Sequence, residues 1–277
     1  MKTLTGSLLT RDGLTLFTRQ WLPDGEAANG AILLIHGVAE HSGRYEHVAA
    51  HLTAQDYAVY TMDLRGHGRS PGRRAYVAKY THLLDDLAAY LGMVEASHPG
   101  GRIFVLGHSM GGILALALAG RQQTRLAGLI TSGAPVNLRE TSSRALQMVG
   151  TAVARIAPVM PLVRLDAATI SSDPAVRAAY DSDPLNYRGA LPVQTGVQLV
   201  ALADDARAQL PRLTLPALCM HGAQDRLADP SALDVLAREL ASEDKTIRRY
   251  EGMYHEIFNE VERARVLADV AAWLNAH

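Results

Sequence analysis

The chain has 277 residues, 48% of them hydrophobic and 20% charged, with a formal net charge of −1. That balance excludes a disordered or fibrous protein, and it supplies no long-range field to gather nucleic acid, so no nucleic-acid partner is expected. The single cysteine, Cys219, rules out an intramolecular disulfide; within the apolar run LPALCMHG it reads as a small core residue.

The N-terminus, MKTLTGSLLTRDGLTLF, has Arg11 and Asp12 where a signal peptide needs an unbroken apolar stretch, and no segment reaches transmembrane length. A soluble, cytoplasmic protein is expected, at most peripheral to a membrane. A hairpin over GSLLTRDGLTLFTRQWL (6–22) adds antiparallel strands at one sheet edge. Further strands are predicted at GAILLIHG (30–37), YAVYTMDL (57–64), RIFVLGHS (102–109), LAGLITSG (126–133), LPALCMHG (215–222) and KTIRRYEG (245–252). Between them YEHVAAHLTAQ, YTHLLDDLAAYLGMVEASH, MGGILALALAG and PSALDVLARELASED repeat apolar residues at helical spacing. Strands apolar on both faces and separated by helices predict an α/β fold, a mostly parallel sheet covered on both sides. From Asn137 to Leu213 the alternation stops. Helical pieces punctuated by Pro158, Pro161, Pro174, Pro184 and Pro192 replace it, with no strand-like run. This reads as a helical cap (137–212) inserted into a core of residues 1–136 and 213–277. Its first helix, RALQMVGTAVARIAPVMPLVRL, carries only Arg144, Arg155 and Arg164 as charges. Its apolar face is expected to pack on the core, and the same face suits an acyl tunnel and transient contact with a membrane or micelle surface.

Gly107-His108-Ser109-Met110-Gly111 follows a predicted strand and precedes a predicted helix, the context that gives G-x-S-x-G its meaning. So tight a turn strains the serine backbone and holds its hydroxyl clear of both elements, while the flanking glycines avoid collision. Ser109 is therefore the expected nucleophile. The Met110 N–H, at a helix N-terminus, is an expected oxyanion donor. A serine needs a base, and in a doubly wound hydrolase the order is Ser, then Asp or Glu, then His. Beyond the cap only His221, His255 and His277 remain; His277 is terminal and His221 precedes every downstream acid, which leaves His255. Asp225 directly follows a strand, where α/β sites form. Asp229, its neighbour and competitor, is accounted for as a helix cap before Pro230. In HGVAEHSGRY the turn at His36-Gly37 brings the Val38 N–H towards the nucleophile as the second oxyanion donor.

Other features read as structural. His47 and His51 share a helix face at i, i+4, but no third ligand accompanies them and no metal is expected. Gly66-His67-Gly68 lacks the third glycine of a dinucleotide fingerprint and reads as a loop near the site rim. Asp85 and Asp86 read as the polar face of their helix, one of them a candidate brace for the elbow. Glu40 suits substrate contact and structural support of Arg44 equally.

Taken in order, HGVAEHSGRY (36–45), DLRGHGRS (63–70), GHSMGG (107–112), YDSDPLNYRG (180–189), HGAQDRLADP (221–230) and EGMYHE (251–256) resemble the monoacylglycerol lipases of the α/β-hydrolase superfamily, in their bacterial form. The resemblance implies an α/β-hydrolase fold and hydrolysis of monoacylglycerol to glycerol and fatty acid through an acyl-serine, without cofactor or metal. It also implies a lipid ester as the partner, a monomer or homodimer, and headgroup contacts from Glu40, His41, Arg44 and Tyr180. Two departures stand out: Phe258 occupies the place of a second histidine in mammalian members, and Ala228 the place of a cysteine. A lysophospholipase or general carboxylesterase is the alternative, and a non-catalytic ligand-binding protein a more distant one. A proline iminopeptidase would need a carboxylate cluster for the substrate amine, which the cap does not offer. The serine at position 109 excludes dehalogenase and epoxide-hydrolase chemistry.

Overall fold

The computed structural model describes residues 1–25, 29–98, 100–141 and 143–277. An antiparallel hairpin of β1 (Lys2–Leu9) and β2 (Thr15–Leu22) leads into β3 (Gly30–Ile35), α1 (Glu46–Thr53), β4 (Tyr57–Met62), α2 (Tyr80–Ser97), β5 (Ile103–His108), α3 (Met110–Gln122) and β6 (Gly128–Ser132). There follow α4 (Leu138–Thr141), α5 (Arg144–Ile156), β7 (Pro161–Arg164), α6 (Pro174–Ser182), β8 (Ala190–Pro192) and α7 (Val193–Gln209). The chain ends with β9 (Ala217–Gly222), α8 (Ala232–Glu239), β10 (Lys245–Tyr250) and α9 (Arg263–Ala276). The main sheet has the order β1-β2-β4-β3-β5-β6-β9-β10. Its strands are parallel from β4 onward and antiparallel at the hairpin edge, as the patterning predicts.

The pleat of each central strand divides its side chains between two cores. Ala31, Leu33 and Ile35 of β3 join one buried cluster with α2, α3 and α8, while Ile32 and Leu34 join the other with α1 and α9. Covering helices on both faces explain why these strands are buried at every position and mostly apolar. Several strands end before the predicted runs do. His36-Gly37, Asp63-Leu64, Ser109 and Gly133 already lie past strand ends, in the turns along the carboxyl edge of the sheet.

Two details of the stretch between β6 and β9 depart from the sequence reading. β7 and β8 pair antiparallel, with Val163 opposite Leu191, where no strand was expected. Each spans four residues or fewer and carries a terminal proline, too little to display a period-2 pattern. In α5 only part of the apolar surface packs inward. Gly150 and Ala154 are buried, whereas Met148, Val149 and Ile156 are 74%, 60% and 86% exposed.

Candidate active site

Ser109 stands between β5 and α3 with φ 55° and ψ −120°, a backbone region that strains any residue with a Cβ. Its N–H donates to the Ser132 carbonyl at 2.8 Å, and its own carbonyl accepts from Gly112 N–H at 2.8 Å. The flanking glycines are sterically required. A Cβ on Gly107 would lie 2.1 Å from the Gly111 carbonyl oxygen, and one on Gly111 the same distance from that of Ile35.

His255 Nδ1 lies 2.7 Å from Asp225 Oδ2. A carboxylate only accepts, so Nδ1 carries the hydrogen and Nε2 keeps its lone pair. Asp225 Oδ1 accepts the amides of Leu227 at 2.8 Å and Ala228 at 3.0 Å. Burial alone would raise the Asp225 pKa, but the charge of His255 and hydrogen bonds from His221 and His255 outweigh it and hold the acid well below the usual carboxylate range. Asp229 accepts the Ser231 amide at 2.8 Å, in the turn before α8. His108, whose ring centroid is 4.7 Å from that of His255, is pushed down to about 4 by burial and by His255.

The turn after β3 is held from both sides. His36 Nδ1 donates to the Gly37 carbonyl at 2.7 Å and its Nε2 accepts from Leu64 N–H at 3.0 Å. Gly37 N–H donates to Glu40 Oε1 at 2.6 Å, Tyr45 OH to the same oxygen at 2.7 Å, and Arg44 to Oε2 at 2.8 Å. Arg44 also grips Glu256 through two bonds of 2.6 and 2.7 Å. Ala39, at φ 65°, offers its carbonyl to Tyr187 N–H at 2.9 Å and Tyr180 OH at 3.3 Å. His41 Nε2 donates to Asp183 at 2.8 Å. Among the described residues neither the Val38 nor the Met110 amide has a hydrogen-bond partner.

Ser109, Val38 and His255 line one cavity of ≈ 630 Å³, together with Glu40 and Tyr180. His41 and Arg44 do not line it; their polar groups are taken up by Asp183, Glu40 and Glu256. Away from the serine the walls are mostly apolar, with Leu138, Leu162, Leu191 and Val197 among them, and Arg139, Gln147 and Thr151 also line the cavity. Ala228 is part of the wall, whereas Phe258 packs into the core beside α9.

Three residues gain roles that the sequence did not assign them. Glu256 pairs with Arg44, and His221 meets Asp225 at 2.9 Å. Asp86 is buried rather than on a solvated helix face, and two of its bonds, both 2.7 Å, hold Arg65 in the loop after β4. An acid in a helix with an arginine far off in sequence offers no local pattern for such a pair. His47 likewise faces a protein group, the Phe258 carbonyl at 2.8 Å, and among the described residues no cluster of three or more potential ligands could hold a metal ion.

A parallel sheet with a strained serine elbow between strand and helix, and a cavity above the carboxyl edge, defines an α/β hydrolase. Residues 26–262 match the family model described as serine aminopeptidase, S33. The chain belongs to this α/β-hydrolase family, and within it groups with the monoacylglycerol lipases. It is 37% identical to a monoacylglycerol lipase of Mycolicibacterium smegmatis, over 96% of this chain and 94% of that one. The crystal structure of a Paleococcus ferrophilus monoacylglycerol lipase superposes with a TM-score of 0.85 at 26% identity, covering 95% and 99% of the two chains. A Saccharomyces cerevisiae monoglyceride lipase in complex with a substrate analogue gives 0.85 at 26% identity, covering 98% and 94%.

Proposed function

We propose that this protein is a monoacylglycerol lipase that cleaves its substrate to glycerol and a fatty acid through an acyl-serine intermediate. The observation that carries the reading is the 2.7 Å Asp225–His255 pair at the same cavity as the strained Ser109. In this reading His255 Nε2 takes the Ser109 proton as Oγ attacks the ester carbonyl. Asp225 fixes the imidazole tautomer, and the Val38 and Met110 amides receive the developing oxyanion. His255 then protonates the departing glycerol oxygen, and water repeats the sequence on the acyl-enzyme. The apolar arm takes the acyl chain, and Glu40 and Tyr180 border the headgroup end. His41 and Arg44 act at one remove, by shaping the loop that carries Val38.

Residues 137–212 serve as the cap in this reading. The exposed face of α5, bearing Met148, Val149 and Ile156 near Arg144 and Arg155, suits transient seating on a lipid surface. Among the described residues no helix is long and apolar enough to cross a membrane.

The test is a hydrolysis panel of monoacylglycerols, diacylglycerol, triacylglycerol, lysophospholipid and p-nitrophenyl esters. Monoacylglycerol is expected to give the highest kcat/KM, and Ser109→Ala to lose turnover by a factor on the order of 10⁴ or more with the fold intact. Preference for lysophospholipid overturns the substrate; normal turnover in Ser109→Ala overturns the mechanism.

A further inference from the structure

We infer that His221 is a positioning residue for ester hydrolysis, a second imidazole that locks the Asp225 carboxylate in the orientation His255 requires. The inference rests on the triad reading above. His221, buried near the end of β9, places Nε2 2.9 Å from Asp225 Oδ2 and 3.2 Å from the Ala228 carbonyl oxygen. Both neighbours are acceptors, so Nε2 carries a hydrogen and donates it. Nδ1 is buried and has no partner among the described residues. An apolar side chain would avoid that unsatisfied nitrogen, so packing alone does not account for an imidazole here.

The carboxylate needs a donor of this kind. The amides of Leu227 and Ala228 hold Oδ1 from one side, which leaves Oδ2 to be fixed. His255 also binds Oδ2, but it is the group being oriented and has to change protonation state during the reaction. A donor anchored in a sheet strand holds Oδ2 whatever His255 does. His221 does not line the cavity, so its influence passes through Asp225.

Its removal has a predicted direction. With one donor lost, Asp225 attracts the His255 proton more strongly, and the acid limb of kcat/KM moves to higher pH. Misorientation of the carboxylate shows separately, as the fall in kcat. The other charged or titratable groups near the pair are His108, Glu256, Glu40 and Asp229, and none of them changes in the variants.

The test compares His221→Leu, His221→Gln and His221→Asn on a short p-nitrophenyl ester, with circular dichroism as a fold control. His221→Leu is expected to lower kcat roughly ten- to hundredfold, with KM nearly unchanged and the acid limb raised by up to about one pH unit. Glutamine places an N–H near the position of Nε2 and is expected to restore kcat to within a few-fold. Asparagine is too short to reach Oδ2 and is expected to behave like leucine while remaining polar, which covers a leucine variant that does not fold. Wild-type kcat in the folded leucine or asparagine variant overturns the inference. So does equal impairment of all three with the acid limb unmoved. Asp225→Ala separates the two readings: full turnover there overturns the triad and this inference together. An inactive Asp225→Ala beside a fully active His221→Leu overturns the inference alone.

Discussion

His255 is pulled in two directions. Burial, the largest influence, favours the uncharged ring, but the charge and hydrogen bond of Asp225, followed by Glu256 and Glu40, outweigh it and raise the imidazole pKa above its ordinary 6.5. A general base works only when unprotonated, so kcat/KM is expected to fall as pH drops through that raised value, with the midpoint of the acid limb above 6.5. A pH–rate profile on a soluble ester checks this, and a midpoint below 6.5 contradicts it. Stability has the opposite sense. A raised imidazole pKa stabilises the fold fully below 6.5, and that contribution is lost as pH climbs through the folded-state value. Asp225, held low, contributes above its ordinary 3.8 and loses that contribution as pH falls.

At the scale of elements, α5 carries a conflict between propensity and function. Gly150 lies in the interior of the helix, where glycine costs about 0.5–1 kcal/mol relative to alanine. It also lines the cavity, and a Cβ there would lie 3.8 Å from Val193 Cγ2, an ordinary contact. Gly150→Ala is therefore expected to stabilise the protein by about 0.5–1 kcal/mol, read from a urea midpoint. Gly150→Leu would displace the equivalent of about two methylenes of acyl chain at ~0.8 kcal/mol each. It is expected to lower kcat/KM for a long-chain monoacylglycerol roughly tenfold and leave a short-chain ester nearly unchanged. Equal losses on both substrates would mean that Gly150 does not limit the acyl arm. The strands of the main sheet and helices α1, α2, α3 and α8 were readable from local periodicity, whereas β7 and β8, too short to be periodic, appear only through their pairing with one another.

Across the whole molecule, Arg44 joins two loops 212 residues apart, one carrying Val38 and the other His255. Both carboxylates it binds, Glu40 and Glu256, are nearly fully buried. Arg44→Met would leave them facing each other without a cation, and the expected cost is about 3–5 kcal/mol of stability by denaturant unfolding. Glu256 is held below its ordinary 4.5 despite burial, chiefly by Arg44, so this contribution is present above 4.5 and lost as pH falls. The difference between Arg44→Met and the parent protein should accordingly shrink in acid; a difference that does not change with pH would show that the ion pair is not its source.

Local chemistry made much of this protein legible from one chain. The strand–serine–helix junction at 107–111 and the apolar runs of the sheet are written in neighbouring residues, because a turn or a pleat is decided by residues close in sequence. Chain order and strand ends pointed to Asp225 and His255 as partners, whose 2.7 Å contact appears only in the fold. Support of Arg44 by Glu40, four residues away, was one of two readings the sequence offered, but Glu256 was beyond local reading: an arginine near the start of the chain does not reveal which distant acid will bind it. The same holds for His221, which as a sequence feature was only an unsuitable base. Folding decided these cases by bringing distant groups into a dry interior, where a buried charge without a partner is costly.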